Sequence, residues 1–274
     1  MKHKRFTKFY AVINHHSQLT CIVLLILTLL SVSAVFTFLP PIPQSNSYHH
    51  FADRQAEWGI MNFADVISNL LFLLISILGF SALRKQWKDH CLTLEEAIVF
   101  SLLFTGVLLV SFGSAYYHWS PNNTSLVWDR LSLTIVFMSI LSLTLMERIN
   151  LRWGFWLLIP LLSLGVFSVL YWHWTEILGS GDLRLYGLVQ FYSMFLIVII
   201  LIIFPKPYPS TKAYVWMLIF YALSKLAEFA DLRIYQLAHH FLSGNTLKHL
   251  LAAISLYATV IFVKEKQPLF PPQH

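Results

Sequence analysis

The sequence predicts an all-α integral membrane protein that crosses the bilayer eight times, and three observations predict it. Hydrophobic residues make up 57% of the 274 residues and charged residues only 12%, about half the charge that the surface of a soluble domain carries. Mean hydropathy is +0.64. Apolar runs recur along the chain at lengths that match about 30 Å of hydrocarbon. Trp87, Trp119, Trp128, Trp153, Trp172 and Trp174 gather at the ends of the runs, where amphipathic rings prefer the headgroup layer.

The first run, Leu19 to Phe38, follows the basic head "MKHKRFTK" and ends at "LPPIP". Its apolar part exceeds the roughly 7 to 15 residues of a secretory signal, so an uncleaved anchor is expected. Cleavage after Ala34 is the alternative, and leaves seven helices in the same orientation. The second run, Val66 to Leu83, stops at Arg84 and Lys85, and the third, Ala97 to Tyr117, closes on "GSAYYHW". Beyond a short connection with Pro121 lies the fourth, Trp128 to Met146; Arg148 and Arg152 separate it from the fifth, Gly154 to Trp172. The sixth, Leu185 to Phe204, is broken off by "PKPYP", the seventh runs from Ala213 to Leu232, and the eighth from Leu247 to Val263. With Cys21 and Cys91 as the two cysteines, no disulfide framework is expected.

Charge sets the orientation. One set of connections holds thirteen Lys and Arg residues, among them Lys2, Lys4, Arg5, Lys85, Lys88, Arg148, Arg152, Lys264 and Lys266; the alternate set holds five, Arg54, Arg130, Arg184, Arg233 and Lys248. The positive-inside rule then places both termini in the cytoplasm. The net charge of +6 is mostly this topological signal and calls for no nucleic-acid partner.

An ionisable group near hydrocarbon costs several kcal/mol, so the polar helix ends are the informative residues. "FADRQAEWGIMNFADVISN", "GSAYYHWSPNNTSLVWDR", "KLAEFADLR" and "SGNTLKH" all fall at the outer, periplasmic or lumenal, face, which is what a single site requires. Ser114 and His118 stand four apart and hence on one helix face, and Asp129 follows eleven residues after His118. Asn245 and His249 repeat the four-residue spacing at the mouth of the last run. His118 and His249 are candidate imidazole ligands for a metal, with Asp129 placed to hold or deprotonate a water between them. The alternative is a belt of hydrogen-bonded interfacial histidines, with Gly113, Ser114 and Ala115 as a small-residue packing seam. Lys225, Glu228 and Asp231 recur every third residue and read as a charge-paired ladder, with Glu228 and Asp231 also able to support the site from behind.

"GSAYYHW" followed by "LVWDRL", together with "DVISNLLFLL" and "SGNTLKHLLAA", resembles the alkaline ceramidase family and its bacterial ceramidase-like relatives, part of a broader group of seven-helix membrane hydrolases. The likeness runs from about Phe51 to about Ala258 and leaves the first helix outside the seven-helix core. It implies a seven-helix ceramidase-like domain over residues 46–264, an N-terminal cytoplasmic segment with an extra transmembrane helix over 1–45, and a cytoplasmic tail over 265–274. It also implies a zinc-dependent amidase acting on a membrane lipid, cleaving ceramide to a sphingoid base and a fatty acid. In the family one zinc-binding His lies in S-x-x-x-H, here Ser114 to His118, while Ser114 and Asp129 support the water and the reacting carbonyl. The remaining ligands come from H-x-x-x-H, which here reads Asn245 to His249.

An Asn amide is a poorer zinc donor than imidazole and carries no charge. Three readings of Asn245 follow: its oxygen coordinates; His239, His240, Glu228 or Asp231 substitutes; or the site is metal-poor. The last gives the competing function, a non-catalytic lipid-binding or signalling protein of the same fold. A transporter is a third class, disfavoured because the polar groups share one face instead of the bilayer midplane. Calcium is not expected: Asn62 stands where calcium-binding relatives have a Glu, and Asp53 and Asp65 read as helix-end or packing carboxylates beside Arg54.

Overall fold

The computed structural model describes residues 22–205 and 210–269 and is all-helical apart from its connections. Leu19 to Cys21 of the expected first span, the basic residues Lys2 to Lys8, and Lys206 lie outside the described residues. Packing divides the chain into two units, Met1–Ile42 and Pro43–His274. In the first, α1 (Ile22–Phe38) is an apolar helix.

The second unit holds α2 (Phe63–Ile67), α3 (Leu70–Lys88), α4 (Leu94–Trp119), α5 (Asn123–Arg148) and α6 (Leu151–Ile177). Then come α7 (Arg184–Ile203), α8 (Ser210–Phe229), α9 (Asp231–Leu237) and α10 (Gly244–Lys264). Four of the long helices start where a side chain takes up their first free N–H groups. Thr93 and Glu96 form a capping box on α4, Asn122 and Ser125 do the same on α5, and Asn150 and Ser243 cap α6 and α10. Within α7 the stretch Leu188–Tyr192 is a π-helical turn.

Among the described residues six helical stretches are long and apolar enough to cross a membrane, and a seventh crossing follows if the bent pair α8 and α9 counts as one span. The sequence count of eight therefore differs at its ends. The described part of α1 is shorter than a full span, and the seventh run does not continue to Leu232: at Ala230 the chain turns by 81°, so Asp231 opens α9.

Helix α5 is the most buried span and packs against α4, α6 and α7, while α3 and α8 flank α10. Serine hydroxyls tie neighbours together where lipid offers no hydrophobic drive for association. Ser76 donates to the Phe104 carbonyl (2.9 Å, α3 to α4), Ser142 to that of Gly154 (2.9 Å, α5 to α6) and Ser255 to that of Met217 (2.7 Å, α10 to α8). At one end of the bundle stand Lys85, Lys88, Arg148 and Lys264, in the last turns of α3, α5 and α10. The opposite end collects the start of α2, the end of α4, the start of α5, the α8–α9 bend and the start of α10.

Candidate functional site

Two glycines let the backbones at that end close in. A Cβ on Gly113 would stand 2.6 Å from the Trp128 carbonyl oxygen, so only glycine lets α4 and α5 meet beside Ser114 and Asp129. A Cβ on Gly244 would stand 2.3 Å from the Ala227 oxygen and 2.4 Å from Asp231 Cα, so the first turn of α10 lies directly on the α8–α9 bend.

His118, in the last turn of α4, and His249, in the second turn of α10, are both buried, with ring centroids 4.8 Å apart and planes at 86°. Phe51 covers the His118 ring at 4.4 Å, and Phe72 meets the edge of His249 at 5.9 Å. Asp65, fully buried in α2, joins them. Its Oδ1 accepts from the hydroxyls of Ser243 (2.5 Å) and Thr246 (2.7 Å), and its Oδ2 stands 3.8 Å from His118 Nδ1, beyond hydrogen-bonding reach. Asp65 is the helix-end carboxylate that its position implies, in the first turn of α2, but its oxygens reach beyond that helix to α10 and α4; Asp53 caps α2, accepting from the Ala64 N–H at 3.1 Å.

Two further residues hold the histidines, one by its ring and one by its main chain. The Ser68 hydroxyl donates to the Asp65 carbonyl (3.0 Å) and so accepts the Nδ1–H of His249 (2.7 Å). That assigns the His249 tautomer and leaves Nε2 with a free lone pair. Asn62, in the left-handed region at φ 53°, donates its amide to the His118 carbonyl (2.7 Å) and ties the start of α2 to the end of α4.

Asp65 Oδ2, His118 Nδ1 and Nε2, and His249 Nε2 are buried without a hydrogen-bond partner. Each such atom costs about 1–3 kcal/mol, more when charged. Four concentrated within one cluster call for an occupant. Among the described residues no group of three or more His, Cys, Asp or Glu stands arranged to hold a metal ion, and this cluster is no exception as it stands. Its donors, two neutral imidazoles and a carboxylate oxygen, fit a divalent zinc ion.

The remaining sequence candidates surround this cluster. Buried Ser114 faces the half-buried Asp129 carboxylate across the α4–α5 contact. Asn245 is buried one turn before His249; its N–H donates to Asp231 (2.9 Å), and its amide is not among the unpartnered buried atoms. Asp231 does not extend the ladder expected of it, because the bend turns it to accept also from the Ala52 N–H (2.8 Å). Glu228 takes Lys225 (2.7 Å), Lys248 (3.3 Å) and the Tyr48 hydroxyl (3.1 Å), which holds Lys248 beside His249. Of the proposed substitutes for a third ligand, Glu228 and Asp231 are thus engaged elsewhere, and His239 and His240 are exposed. Arg54 pairs with neither Asp53 nor Asp65 but donates to the Phe51 carbonyl (3.4 Å).

Next to Asp129, Arg130 is buried with its guanidinium 4.0 Å over the Trp172 ring and 4.7 Å over that of Tyr186, donating to Gln44 (2.6 Å). His49 closes the rim through Tyr117 (3.0 Å) and Asn123 (3.0 Å), and its burial lowers its pKa below the ordinary imidazole value.

Asp65, Ser68 and Asn62 are the site residues that sequence reasoning missed. The signal was the pair Asp65 and Ser68 three apart in "FADVISN", inside a cluster already assigned to the same face. Compared with family models, with curated proteins and with solved structures, the chain matches none.

Proposed function

We propose that the chain is a membrane-embedded, metal-dependent hydrolase that cleaves the amide of ceramide or a ceramide-like lipid to a sphingoid base and a fatty acid. The observation that carries this reading is the set of unpartnered buried donors on Asp65, His118 and His249, with Ser114 and Asp129 facing each other at the same end of the bundle. The resemblance of "GSAYYHW", "LVWDRL" and "SGNTLKHLLAA" to the alkaline ceramidases supports the substrate class. On this reading the fold is a seven-helix ceramidase-like bundle with one added N-terminal helix, eight spans in all. Both termini are cytoplasmic and the site opens to the outer face, in keeping with the Lys and Arg distribution.

His118 and His249 would hold a zinc ion, which would supply polarisation of the amide carbonyl and a lowered pKa, toward about 7, for a water. Asp129 takes the proton of the attacking water as the C–O bond forms and returns it to the amide nitrogen as the C–N bond breaks. The Ser114 hydroxyl donates to the oxygen on which charge develops. Asn62, Ser68 and Phe51 keep the two imidazoles in place, and Glu228 and Asp231 hold the segments that carry them.

A second reading, a catalytically impaired lipid-binding or signalling protein of the same fold, is favoured by Asn245 alone. Incubation of the purified protein with a panel of ceramide-like lipids separates the two. Release of fatty acid that is abolished by His118→Ala supports the hydrolase; tight lipid binding with no release from any of them supports the alternative. Release that survives both His118→Ala and exhaustive chelation refutes the metal-dependent reading.

A further inference from the structure

We infer that Asp65 completes a two-histidine, one-carboxylate site for a divalent transition metal with His118 and His249, in the role that an imidazole at position 245 would otherwise fill. The inference rests on the metal-dependent reading above and names the third donor.

The orientation of Asp65 is the first argument. Ser243 and Thr246 both donate to Oδ1, which fixes the carboxylate and leaves Oδ2 directed at His118 Nδ1, 3.8 Å away. Two donors at about 2.0–2.2 Å from a tetrahedral ion lie about 3.4 Å apart, so binding draws this pair in by only a few tenths of an ångström. Ser243 is also the N-cap of α10, so the residue that starts the helix bearing His249 also aims the carboxylate.

The second argument is the state of His249. Its Nδ1–H is taken by Ser68, whose hydroxyl passes on to the Asp65 main chain, so one short segment of α2 and the turn after it supplies both the carboxylate and the partner that bares Nε2. Charge is the third. A carboxylate brings a full negative charge to a divalent ion, where the Asn245 amide brings none. Mixed nitrogen and oxygen donors also widen the range of metals, since a two-histidine, one-carboxylate set serves iron(II) as well as zinc.

The test is zinc titration of the full chain in detergent, stripped by a chelator and read against a chromophoric competitor. The wild-type chain is expected to take up about one zinc. Asp65→Asn, which keeps an oxygen for Ser243 and Thr246, is expected to weaken it roughly 100-fold or more, beyond the 10–100-fold typical of losing an outer hydrogen-bond partner. Adding Asn245→His to Asp65→Asn is expected to restore affinity with a third imidazole. Equal affinity of Asp65→Asn and wild type, with His118→Ala and His249→Ala both impaired, overturns the assignment of Asp65 and leaves the metal reading standing. A wild-type chain that takes up neither zinc nor iron(II) overturns both. If Asp65→Asn does not fold, zinc titration and X-ray absorption at the zinc edge of wild type and Asn245→Ala decide: two imidazoles with oxygen donors and equal affinity in both support Asp65, and three imidazoles, or a loss of affinity in Asn245→Ala as large as in His249→Ala, overturn it.

Discussion

Gly244→Ala is a one-carbon change outside the ligand set that reports on how the site is built. The new Cβ would stand 2.3 Å from the Ala227 oxygen and 2.4 Å from Asp231 Cα, against an ordinary contact of 3.4 Å or more. Both obstacles are main chain, so neither rotates away, and the first turn of α10 must lift by about 1 Å. Overpacking of this kind costs about 1–3 kcal/mol. His249 sits five residues further along the same helix, about 7.5 Å on, and a ligand constellation tolerates displacements of about 0.5 Å. The variant is therefore expected to unfold at lower temperature and to bind zinc at least ~10-fold more weakly than wild type. Gly187→Ala is the matched control: no atom outside its own turn lies within 4 Å of the added carbon, and its φ of −58° and ψ of −41° suit alanine. It is expected to change stability by no more than about 1 kcal/mol and zinc affinity not at all. Wild-type stability and affinity in Gly244→Ala would show that α10 is not seated on the bend as described.

Ser68→Ala removes the acceptor of His249 Nδ1–H, and zinc affinity is expected to fall about 10–100-fold with little loss of thermal stability; an unchanged affinity in the same titration contradicts the tautomer assignment. Asp231→Ala frees the N–H groups of Ala52 and Asn245, each held by a carboxylate bond worth about 1.5–3 kcal/mol, so amide exchange in both segments is expected to quicken together, and protection that persists in either speaks against the clamp. For His49 the pH dependence has a definite sign. Burial keeps the folded ring neutral to lower pH, whereas the unfolded chain takes up its proton near 6.5, so this contribution to stability is full above about pH 6.5 and is lost as pH falls through the lowered folded value. The loss of thermal stability between pH 7 and pH 5 is expected to be smaller in His49→Asn than in wild type; parallel profiles contradict it.

The helices were legible because hydrocarbon demands long apolar runs, and the runs starting at Val66, Ala97, Trp128, Gly154 and Leu247 all lie within helices that extend a few residues beyond them. The meeting of His118 and His249 was legible from topology, since alternate helix ends share a face. The role of Asp65 was not. A carboxylate in the first turn of a helix reads as a partner for the helix dipole, and what gives Asp65 a further role is its contact with Ser243 and Thr246 of α10, which are far away in the chain. Asp231 was misread for a different reason: a three-residue spacing makes a ladder only on a continuous helix, and the 81° bend falls between Glu228 and Asp231. Gly113 was legible as part of a small-residue packing seam, whereas Gly244 gave no signal of its own, because what makes it necessary is main chain from the α8–α9 bend.

Zinc dependence of ceramide cleavage tests the central claim most directly. The purified chain, stripped of metal and given a ceramide-like substrate, is expected to release nothing until about one equivalent of zinc is added, and then to release fatty acid and sphingoid base in equal amounts. Full turnover by the stripped chain, or a zinc-loaded chain that leaves every ceramide-like lipid intact, would contradict it.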